Sequence, residues 1–310
     1  MKKLISIMTA CYNEEPNVRN LYQAVKKIFT QMPEYNYEHI FIDNASTDKT
    51  VGILKEIAKK DKNVKIIVNT RNFGHVRSPF YAFLQTKGDA VISLVADFQD
   101  PPEMIKDFLK KWEDGYKIVI GVKHKSKEST LVFMLRKMYY NLLKKMSNTG
   151  HIKNFTGFGL YDKQVIDTLK KFKDPYPYFR GLIAEIGFER AEINYVQPKR
   201  KEGKSKNNFY SLYDMAMLGF VNHTKVPLRL ATFIGFIVSI ISLLIAFSYF
   251  IYKLVFWNSF QMGMAPLIIG LFFFGAVQLF FIGIIGEYIG AIYTQVKDRP
   301  LVIEKERINF

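Results

Sequence analysis

The sequence has little cysteine and little histidine for a chain of 310 residues. Cys11 is the single cysteine, so no disulfide can form within the chain. The five histidines lie far apart, without the short spacing that zinc ligands show: His39, His75, His124, His151 and His223. These absences exclude a disulfide framework and a cysteine–histidine metal cluster.

Three common catalytic signatures are also missing. The sequence contains no Gly-x-x-x-x-Gly-Lys-Ser/Thr phosphate loop, no Gly-x-Gly-x-x-Gly fingerprint and no Gly-x-Ser-x-Gly nucleophile elbow. A nucleotide substrate must therefore be held by acidic and polar side chains, with a metal ion on its diphosphate.

Acidic residues are scarce beside basic ones. The 28 Asp and Glu residues against 44 Lys and Arg residues give a net charge of +16. Such an excess indicates an anionic partner: nucleic acid, a phosphate-rich substrate or a membrane surface. The basic residues concentrate beside apolar segments and form no groove interleaved with aromatic residues, so we expect no nucleic-acid partner.

Two long apolar segments, 228–252 and 264–293, each exceed the roughly 20 residues that cross a bilayer. Basic residues precede the first segment and follow the second, whereas the link between them carries only Lys253. The positive-inside rule then predicts a transmembrane hairpin with both termini in the cytoplasm. Because no secretory signal precedes the first strand, we expect the N-terminal part to stay in the cytoplasm.

The rest of the chain divides around this hairpin. Strand-like and helix-like runs alternate through residues 1–206, which predicts a doubly wound, mostly parallel α/β sheet. Apolar residues at helical spacing in 207–226 predict an amphipathic helix in the membrane interface; a helix packed on the soluble domain is the alternative. Residues 227–296 form the predicted hairpin, and 297–310 a cytoplasmic tail.

The segment Asp97-Phe98-Gln99-Asp100-Pro101-Pro102-Glu103 follows an apolar strand-like run that ends at Val95. In open α/β sheets, ligands bind at the carboxyl ends of the strands. Two carboxylates and an amide within four residues suit Mg²⁺ or Mn²⁺ carrying substrate phosphates. The alternative is a polar loop that leads into a helix begun by proline.

Polar motifs follow two other predicted strands in the same way. Tyr12-Asn13-Glu14-Glu15 follows the first strand, and Asp43-Asn44-Ala45-Ser46-Thr47-Asp48 follows the second. Helix capping by Thr47 or Asp48 accounts for part of this pattern. The three strand ends together predict one site at one edge of the sheet.

These motifs, with Asn72-Phe73-Gly74-His75 and Arg200-Lys201-Glu202-Gly203-Lys204-Ser205-Lys206, resemble the ordered motifs of family 2 inverting glycosyltransferases of the polyprenyl-phosphate type. The similarity covers essentially the whole chain. It implies a GT-A fold and the transfer of sugar from a nucleotide donor, a UDP-sugar being favoured, to a polyprenyl (undecaprenyl) phosphate. It also implies a multi-pass protein of the bacterial inner membrane, and we expect a homo-oligomer.

The resemblance also suggests roles for individual residues. Asp97 and Asp100 are the predicted catalytic residues, and Asp97 and Gln99 the predicted ligands of Mg²⁺ or Mn²⁺. The predicted donor-binding residues are Tyr12, Asn13, Glu14, Asp43, Asn44 and Asp48. A phosphate acceptor needs cationic partners, for which the candidates, with a neighbouring hydroxyl, are Lys123, Arg136, Arg200, Ser205 and Lys206. The alternative for the cations is a solvated surface charge or attraction to anionic lipid.

The sequence departs from the family pattern at three positions. Val95 and Gly157 stand where the family usually has acidic residues, and Asn44 stands where it usually has Asp. A polyprenyl phosphate tolerates the loss at Gly157, because its oxygen is already ionised and needs no general base. A non-catalytic lipid-phosphate-binding protein and a glycosyltransferase with another membrane acceptor are the alternatives. A processive polysaccharide synthase should have more spans and a Gln-x-x-Arg-Trp motif, and the sequence has neither.

Overall fold

The computed structural model describes residues 2–123, 155–198, 226–256 and 264–310. Arg136, Arg200, Ser205 and Lys206 lie outside these residues, as does most of the predicted interfacial segment. The described strands form one eight-stranded sheet in the order β7-β5-β6-β4-β1-β2-β3-β8. Their bounds are β1 Lys3–Cys11, β2 Tyr35–Asp43, β3 Val64–Asn69, β4 Ala90–Val95, β5 Ile118–Lys123, β6 Phe155–Asp162, β7 Arg190–Tyr195 and β8 Glu304–Ile308.

The centre of the sheet is parallel and its flanks are mixed. Strands β4, β1, β2 and β3 run parallel to one another, while β6 runs antiparallel between β4 and β5. Strand β7 pairs in parallel with β5 at one edge, and β8 pairs antiparallel with β3 at the other. This mixed sheet confirms the predicted α/β class with a parallel core.

Helices cover both faces of the sheet, as a doubly wound fold requires. Helices α1 (Val18–Thr30), α2 (Thr50–Lys60) and α4 (Ile105–Glu113) pack their apolar stripes on one face. The other face is covered by α3 (Gly74–Leu84), α5 (Lys163–Leu169) and α6 (Phe179–Ile186). In α1 the buried residues recur at helical spacing: Val18, Leu21, Val25, Ile28 and Phe29.

Strand register brings three loops to one edge of the sheet. Ala10 of β1 pairs with Val95 of β4, and Cys11 pairs with Asp43 of β2. The chain therefore leaves β1, β2 and β4 at the same level. This arrangement places the three polar motifs predicted from the sequence side by side.

Within the segment predicted as a cytoplasmic tail, residues 304–308 form a strand, β8, which pairs with β3. Lys55 of α2 makes an ion pair with Glu306 at 2.5 Å, and Tyr81 of α3 donates to Glu304 at 2.8 Å. Asn309 donates to the carbonyls of Ala58 and Val64. Four of the five residues of β8 are charged, so the sequence shows no apolar pattern that would predict a strand. Such a composition suits a strand at the edge of a sheet.

Two long helices, α7 (Val226–Val255) and α8 (Met264–Val296), occupy the segments predicted as membrane spans. Within the described residues, only Phe273–Val296 is long and apolar enough to cross a bilayer, with a mean hydropathy of 1.7. The apolar part of α7, Val226–Ser242, is shorter. One candidate span is therefore found, and the two-span anchor stays a prediction.

Candidate active site

The loops after β1 and β2 are joined by side-chain hydrogen bonds. The side-chain amide oxygen of Asn13 accepts from the backbone N–H of Thr47 at 2.8 Å, and the backbone N–H of Asn13 donates to the Ser46 hydroxyl at 2.8 Å. The Glu14 N–H donates to the Thr50 hydroxyl at 2.9 Å. These bonds fix the two predicted donor-binding motifs relative to each other.

Asp43 is the buried centre of this joint. Its side chain is fully inaccessible to solvent, and it accepts from the backbone N–H of Ser46 at 2.8 Å as well as from the Ser46 hydroxyl. Burial raises the pKa of the Asp43 carboxyl, although the bonds from Ser46 oppose the rise. Through Ser46, Asp43 also holds the loop that carries Asn13.

In Asp48, hydrogen bonds affect the carboxyl pKa more than burial does, which is the opposite of Asp43. Burial alone would raise the pKa of its carboxyl, but hydrogen bonds from Thr50 and from the Glu15 N–H outweigh burial and lower that pKa. The side chain thus remains ionised and ties α2 to the loop after β1.

The side-chain amide of Asn44 forms hydrogen bonds within the protein. Its amide donates to Asn72 at 2.8 Å and accepts from the Phe73 N–H at 2.9 Å and from Asn69 at 3.1 Å. The side chain is 7% exposed. Asn44 therefore positions the loop before α3, and its predicted contact with the donor stays a prediction.

Asp97 and Asp100 form a buried carboxylate pair just beyond β4, with 6% and 4% of each residue exposed. The Gln99 N–H donates to Asp97 at 3.1 Å, and the Tyr195 hydroxyl donates to Asp100 at 3.2 Å. Burial raises the pKa of Asp100 to about 7; Asp97 adds to the rise, while Tyr195 and Lys123 oppose it. Lys123, at the end of β5, is the one predicted acceptor-binding residue that the structure describes.

The chemistry of this pair fits a hard divalent cation. Oxygen donors from Asp97 and Gln99 are what Mg²⁺ and Mn²⁺ prefer, and a second buried carboxylate nearby favours positive charge. Among the described residues, no three Asp, Glu, His or Cys side chains are grouped to hold a metal by themselves. The residues therefore suit an ion that completes its shell with water and substrate phosphates.

Backbone strain coincides with these loops. Asn13, Ala45 and Phe98 are non-glycine residues with φ of 54°, 63° and 60°, one in the loop after each of β1, β2 and β4. The left-handed conformation is costly for side chains other than glycine and persists where the surroundings enforce it, often at functional sites. The hydrogen bonds of Asn13 and Asp43 supply that enforcement at the first two loops.

A cleft of about 400 Å³, lined mostly by apolar residues, opens at the end of β4. Its walls come from the ends of β1 and β4, from α3, from the start of β6 and from residues 177–180. Val95, the last residue of β4, lines it and is 40% exposed. One of the residues that line the cleft thus lies two positions before Asp97 in the sequence.

Two residues of the site were not predicted from the sequence. Tyr195 lies at the end of β7, outside any polar motif, and Arg180 lies in the first turn of α6. The signal for Tyr195 is its place at the end of a strand-like run. The signal for Arg180 is a cation in an otherwise apolar turn, although neither signal names a partner.

The described geometry is that of an α/β fold with a mixed sheet and three polar loops at one edge of that sheet. The chain belongs to Glycosyl transferase family 2, which residues 6–169 match. The uncharacterized glycosyltransferase YkcC of Bacillus subtilis (strain 168) is 36% identical over 299 residues, which cover 96% of this chain and 92% of that protein. The bactoprenol glucosyl transferase of Shigella phage SfII is 33% identical over 303 residues, 97% of each chain.

Among solved structures, mannosyl-3-phosphoglycerate synthase from Rubrobacter xylanophilus aligns over 71% of this chain and 72% of that one, at 15% identity and a TM-score of 0.49. The family and the relatives that resemble the whole chain show that the protein is a glycosyltransferase.

Proposed function

We propose that the protein transfers a sugar from a nucleotide donor, a UDP-sugar being favoured, to a polyprenyl phosphate at the cytoplasmic face of a bacterial inner membrane. The observation that carries this proposal is the buried Asp97–Asp100 pair, which follows β4 at the sheet edge that also carries the loops after β1 and β2. The Shigella phage relative is named for glucosyl transfer and for bactoprenol, which agrees with a lipid acceptor.

The reaction is an in-line displacement at the anomeric carbon. A phosphate oxygen of the acceptor forms the new bond to that carbon, and the bond to the donor's diphosphate breaks. The nucleoside diphosphate leaves with the electron pair, and the configuration inverts. A phosphate monoester has a second pKa of about 6, so its oxygen is already ionised at neutral pH and no protein base has to remove a proton.

Different residues would bind the nucleotide, hold the metal ion and position the metal-binding segment. The joined loops around Asn13 and Asp43 hold the nucleotide, and Asp97 with Gln99 would hold Mg²⁺ or Mn²⁺ on the diphosphate. When bound, the ion neutralises the negative charge that develops on the leaving group. Asp100, bonded to Tyr195, lies in the segment that begins with Asp97 and keeps that segment in place.

The proposal also includes the membrane hairpin. Helices α7 and α8 would cross the membrane with the 253–263 link outside and β8 inside, because basic residues flank the hairpin on one side. The pairing of β8 with β3 supports this arrangement, since β8 and β3 must then lie on the same side of the membrane.

Purified full-length protein tests the activity directly. We expect one UDP- or GDP-sugar, incubated with undecaprenyl phosphate and Mn²⁺ or Mg²⁺, to yield a glycosylated lipid phosphate detectable by mass spectrometry. Chelation of the ion should abolish the product, and re-addition should restore it. No lipid product with any donor would contradict the proposal.

Cysteine labelling tests the orientation. Cys11 is buried and burial raises the pKa of its thiol, so a Cys11→Ser background removes a thiol that is already poorly reactive. Asn258→Cys should react with an impermeant reagent on intact cells, and Lys305→Cys, exposed on β8, should react only after lysis. The reverse pattern would contradict the hairpin orientation.

A further inference from the structure

Tyr195, the last residue of β7, is the only buried residue of that strand. It is 7% exposed, and its ring packs edge-on against Phe158 of β6 with the ring centroids 5.3 Å apart. Phe158 packs in the same way against Phe108 of α4, at 4.9 Å. These rings share one core cluster with Ala96 and Met104, which flank the polar segment after β4. The Tyr195 ring is therefore fixed by the core that lies next to that segment.

Gly121 of β5 leaves the space for this packing. A Cβ atom at Gly121 would lie 2.7 Å from a ring carbon of Phe158 and 3.2 Å from a ring carbon of Tyr195. Any other residue at this position would therefore have to displace the Phe158 ring. The missing side chain of Gly121 thus lets the Tyr195 ring lie close to β5.

The Tyr195 hydroxyl connects β7 with the segment after β4. It donates to Asp100 at 3.2 Å, and both residues are buried. Strands β5 and β6 lie between β7 and β4 in the sheet, so no backbone pairing joins the two parts of the chain that this bond connects. Burial raises the pKa of the Tyr195 hydroxyl, and Asp100 adds to the rise. The hydroxyl therefore keeps its proton at neutral pH and acts as the donor to Asp100.

The Asp97 segment has a strained backbone that needs a contact from outside the segment. Phe98 has a φ of 60°, and this conformation persists in a residue other than glycine where the surroundings enforce it. The bond from the Gln99 N–H to Asp97 lies within the segment itself. In the loops after β1 and β2, side-chain hydrogen bonds from the neighbouring loop hold the strained residues. In the segment after β4, the bond from Tyr195 to Asp100 has that role.

We propose that Tyr195 is a positioning residue for the Asp97 segment: its hydroxyl fixes Asp100 and so holds Asp97 and Gln99 in the arrangement that binds Mg²⁺ or Mn²⁺. The inference rests on the proposed function and adds to it a residue from an edge strand of the sheet. Loss of the hydroxyl would leave the ring packed and allow the segment to relax. The cation would then bind less tightly, because its two ligands would no longer be held in place.

Mn²⁺ binding tests this role without any sugar transfer. Tyr195→Phe removes the hydroxyl and retains the ring. The full-length protein is titrated with Mn²⁺ in the presence of UDP and, in a second series, of GDP, and free Mn²⁺ is measured by its electron paramagnetic resonance signal. We expect Tyr195→Phe to raise the Kd for Mn²⁺ about fivefold or more with the nucleotide that supports binding to the wild type.

Tyr22→Phe is the matched control, because Tyr22 on α1 also donates to a carboxylate, that of Asp61, at 2.9 Å. It should leave the Kd for Mn²⁺ unchanged, and melting temperatures show whether both variants fold as the wild type does. In the transfer assay, Tyr195→Phe should lose activity at limiting Mn²⁺ and recover most of it at saturating Mn²⁺, with the donor KM within about twofold. A role limited to packing would not produce this dependence on Mn²⁺.

Variants of Asp100 test whether Tyr195 acts through that residue. Asp100→Ala should weaken Mn²⁺ binding, and Tyr195→Phe should add nothing in that background, because the hydroxyl then has no carboxylate to hold. Asp100→Asn keeps an oxygen that can accept from Tyr195, so it should weaken binding less than Asp100→Ala does. If Tyr195→Phe weakens binding by the same factor with and without Asp100, the hydroxyl acts by another route and the inference is wrong.

The outcomes separate the two proposals. Wild-type Mn²⁺ binding in Tyr195→Phe would overturn the positioning role, and so would the absence of Mn²⁺ binding by the wild type with either nucleotide. If Mn²⁺ binding changes as expected and no donor yields a glycosylated lipid phosphate, Tyr195 keeps its positioning role and the proposed function fails.

Discussion

The loops after β1 and β2 and the cleft beside β4 and β6 differ in almost every physical respect. The first are polar, strained and joined by hydrogen bonds such as those from Ser46 to Asp43 and from Thr47 to Asn13. The second is lined mostly by apolar residues, and Arg180 is the cationic side chain in its lining. A rigid polar region suits a nucleotide of fixed shape, and an apolar cleft suits a flexible hydrocarbon.

Asp97 lies on the boundary between these regions, so its loss should have the largest effect. We expect Asp97→Ala to lower the rate of transfer at least about a hundredfold, because it removes a carboxylate from the point where charge develops on the leaving group. Transfer is measured as glycosylated lipid phosphate formed at saturating donor and acceptor. Asp107→Ala, at an exposed position in α4, is the matched control. Wild-type activity in Asp97→Ala would contradict the mechanism.

Substitution of Asp43 tests the role of the polar loops after β1 and β2. Asp43→Ala should raise the donor KM about tenfold or more and change the acceptor KM little, because it frees Ser46 and the loop that Ser46 anchors. Ser46→Ala separates two explanations in the same kinetic assay. A similar donor KM in both variants means that Asp43 acts by ordering the loop, whereas a smaller effect of Ser46→Ala means that Asp43 contacts the nucleotide. An unchanged donor KM in Asp43→Ala would place the nucleotide elsewhere.

Arg200 is the sequence-based counterpart on the acceptor side, in a segment outside the described residues. If its guanidinium engages the lipid phosphate in a bidentate manner, Arg200→Lys should lower kcat/KM for undecaprenyl phosphate about tenfold, or about 1.4 kcal/mol. The donor KM should change little. Lipid kinetics equal to wild type would mean that this segment is a membrane-surface patch, and the phosphate ligands would then be sought around Lys123 and Arg136.

His39, in the middle of β2, concerns stability and not the rate of transfer. Burial lowers its pKa to about 3, and its Nδ1 has no hydrogen-bond partner among the described residues. In the unfolded chain the His39 ring binds a proton below about pH 6.5, whereas in the folded chain it stays neutral down to about pH 3. Stability should therefore fall as the pH drops from about 6.5 toward 3. The loss at pH 5 is about 2 kcal/mol.

Melting temperatures at pH 7.5 and 5.5 measure this loss. His39→Gln should have a smaller difference between the two pH values than wild type has. The exposed His75→Gln should retain the wild-type difference. Equal differences in His39→Gln and wild type would show that His39 does not carry the pH dependence.

The parallel core was predictable because its strands are continuous apolar runs bounded by polar motifs. The strand before the Asp97 segment ends at Val95, as the sequence predicts. Strand β8 could not be predicted, since charged residues at an edge carry no apolar alternation. The meeting of the three loops followed from parallel topology alone.

The apolar cleft was beyond sequence reasoning, because it joins residues far apart in the chain. Val95 and Gly157 were recognised separately as departures from the family pattern, and only the structure shows that they line one cavity. The hydrogen bonds from the Asn44 amide to the loop before α3 were also beyond sequence reasoning, because sequence spacing does not reveal that partner.

The most direct test of the account compares two acceptors that share one hydrocarbon. Purified protein is given its preferred nucleotide-sugar with either undecaprenyl phosphate or undecaprenol, and lipid products are identified by mass spectrometry. The account predicts a glycosylated lipid phosphate from the first and no glycosylated lipid from the second, because only the phosphate supplies an ionised oxygen and a partner for the cations. Transfer to the alcohol at a comparable rate would contradict it.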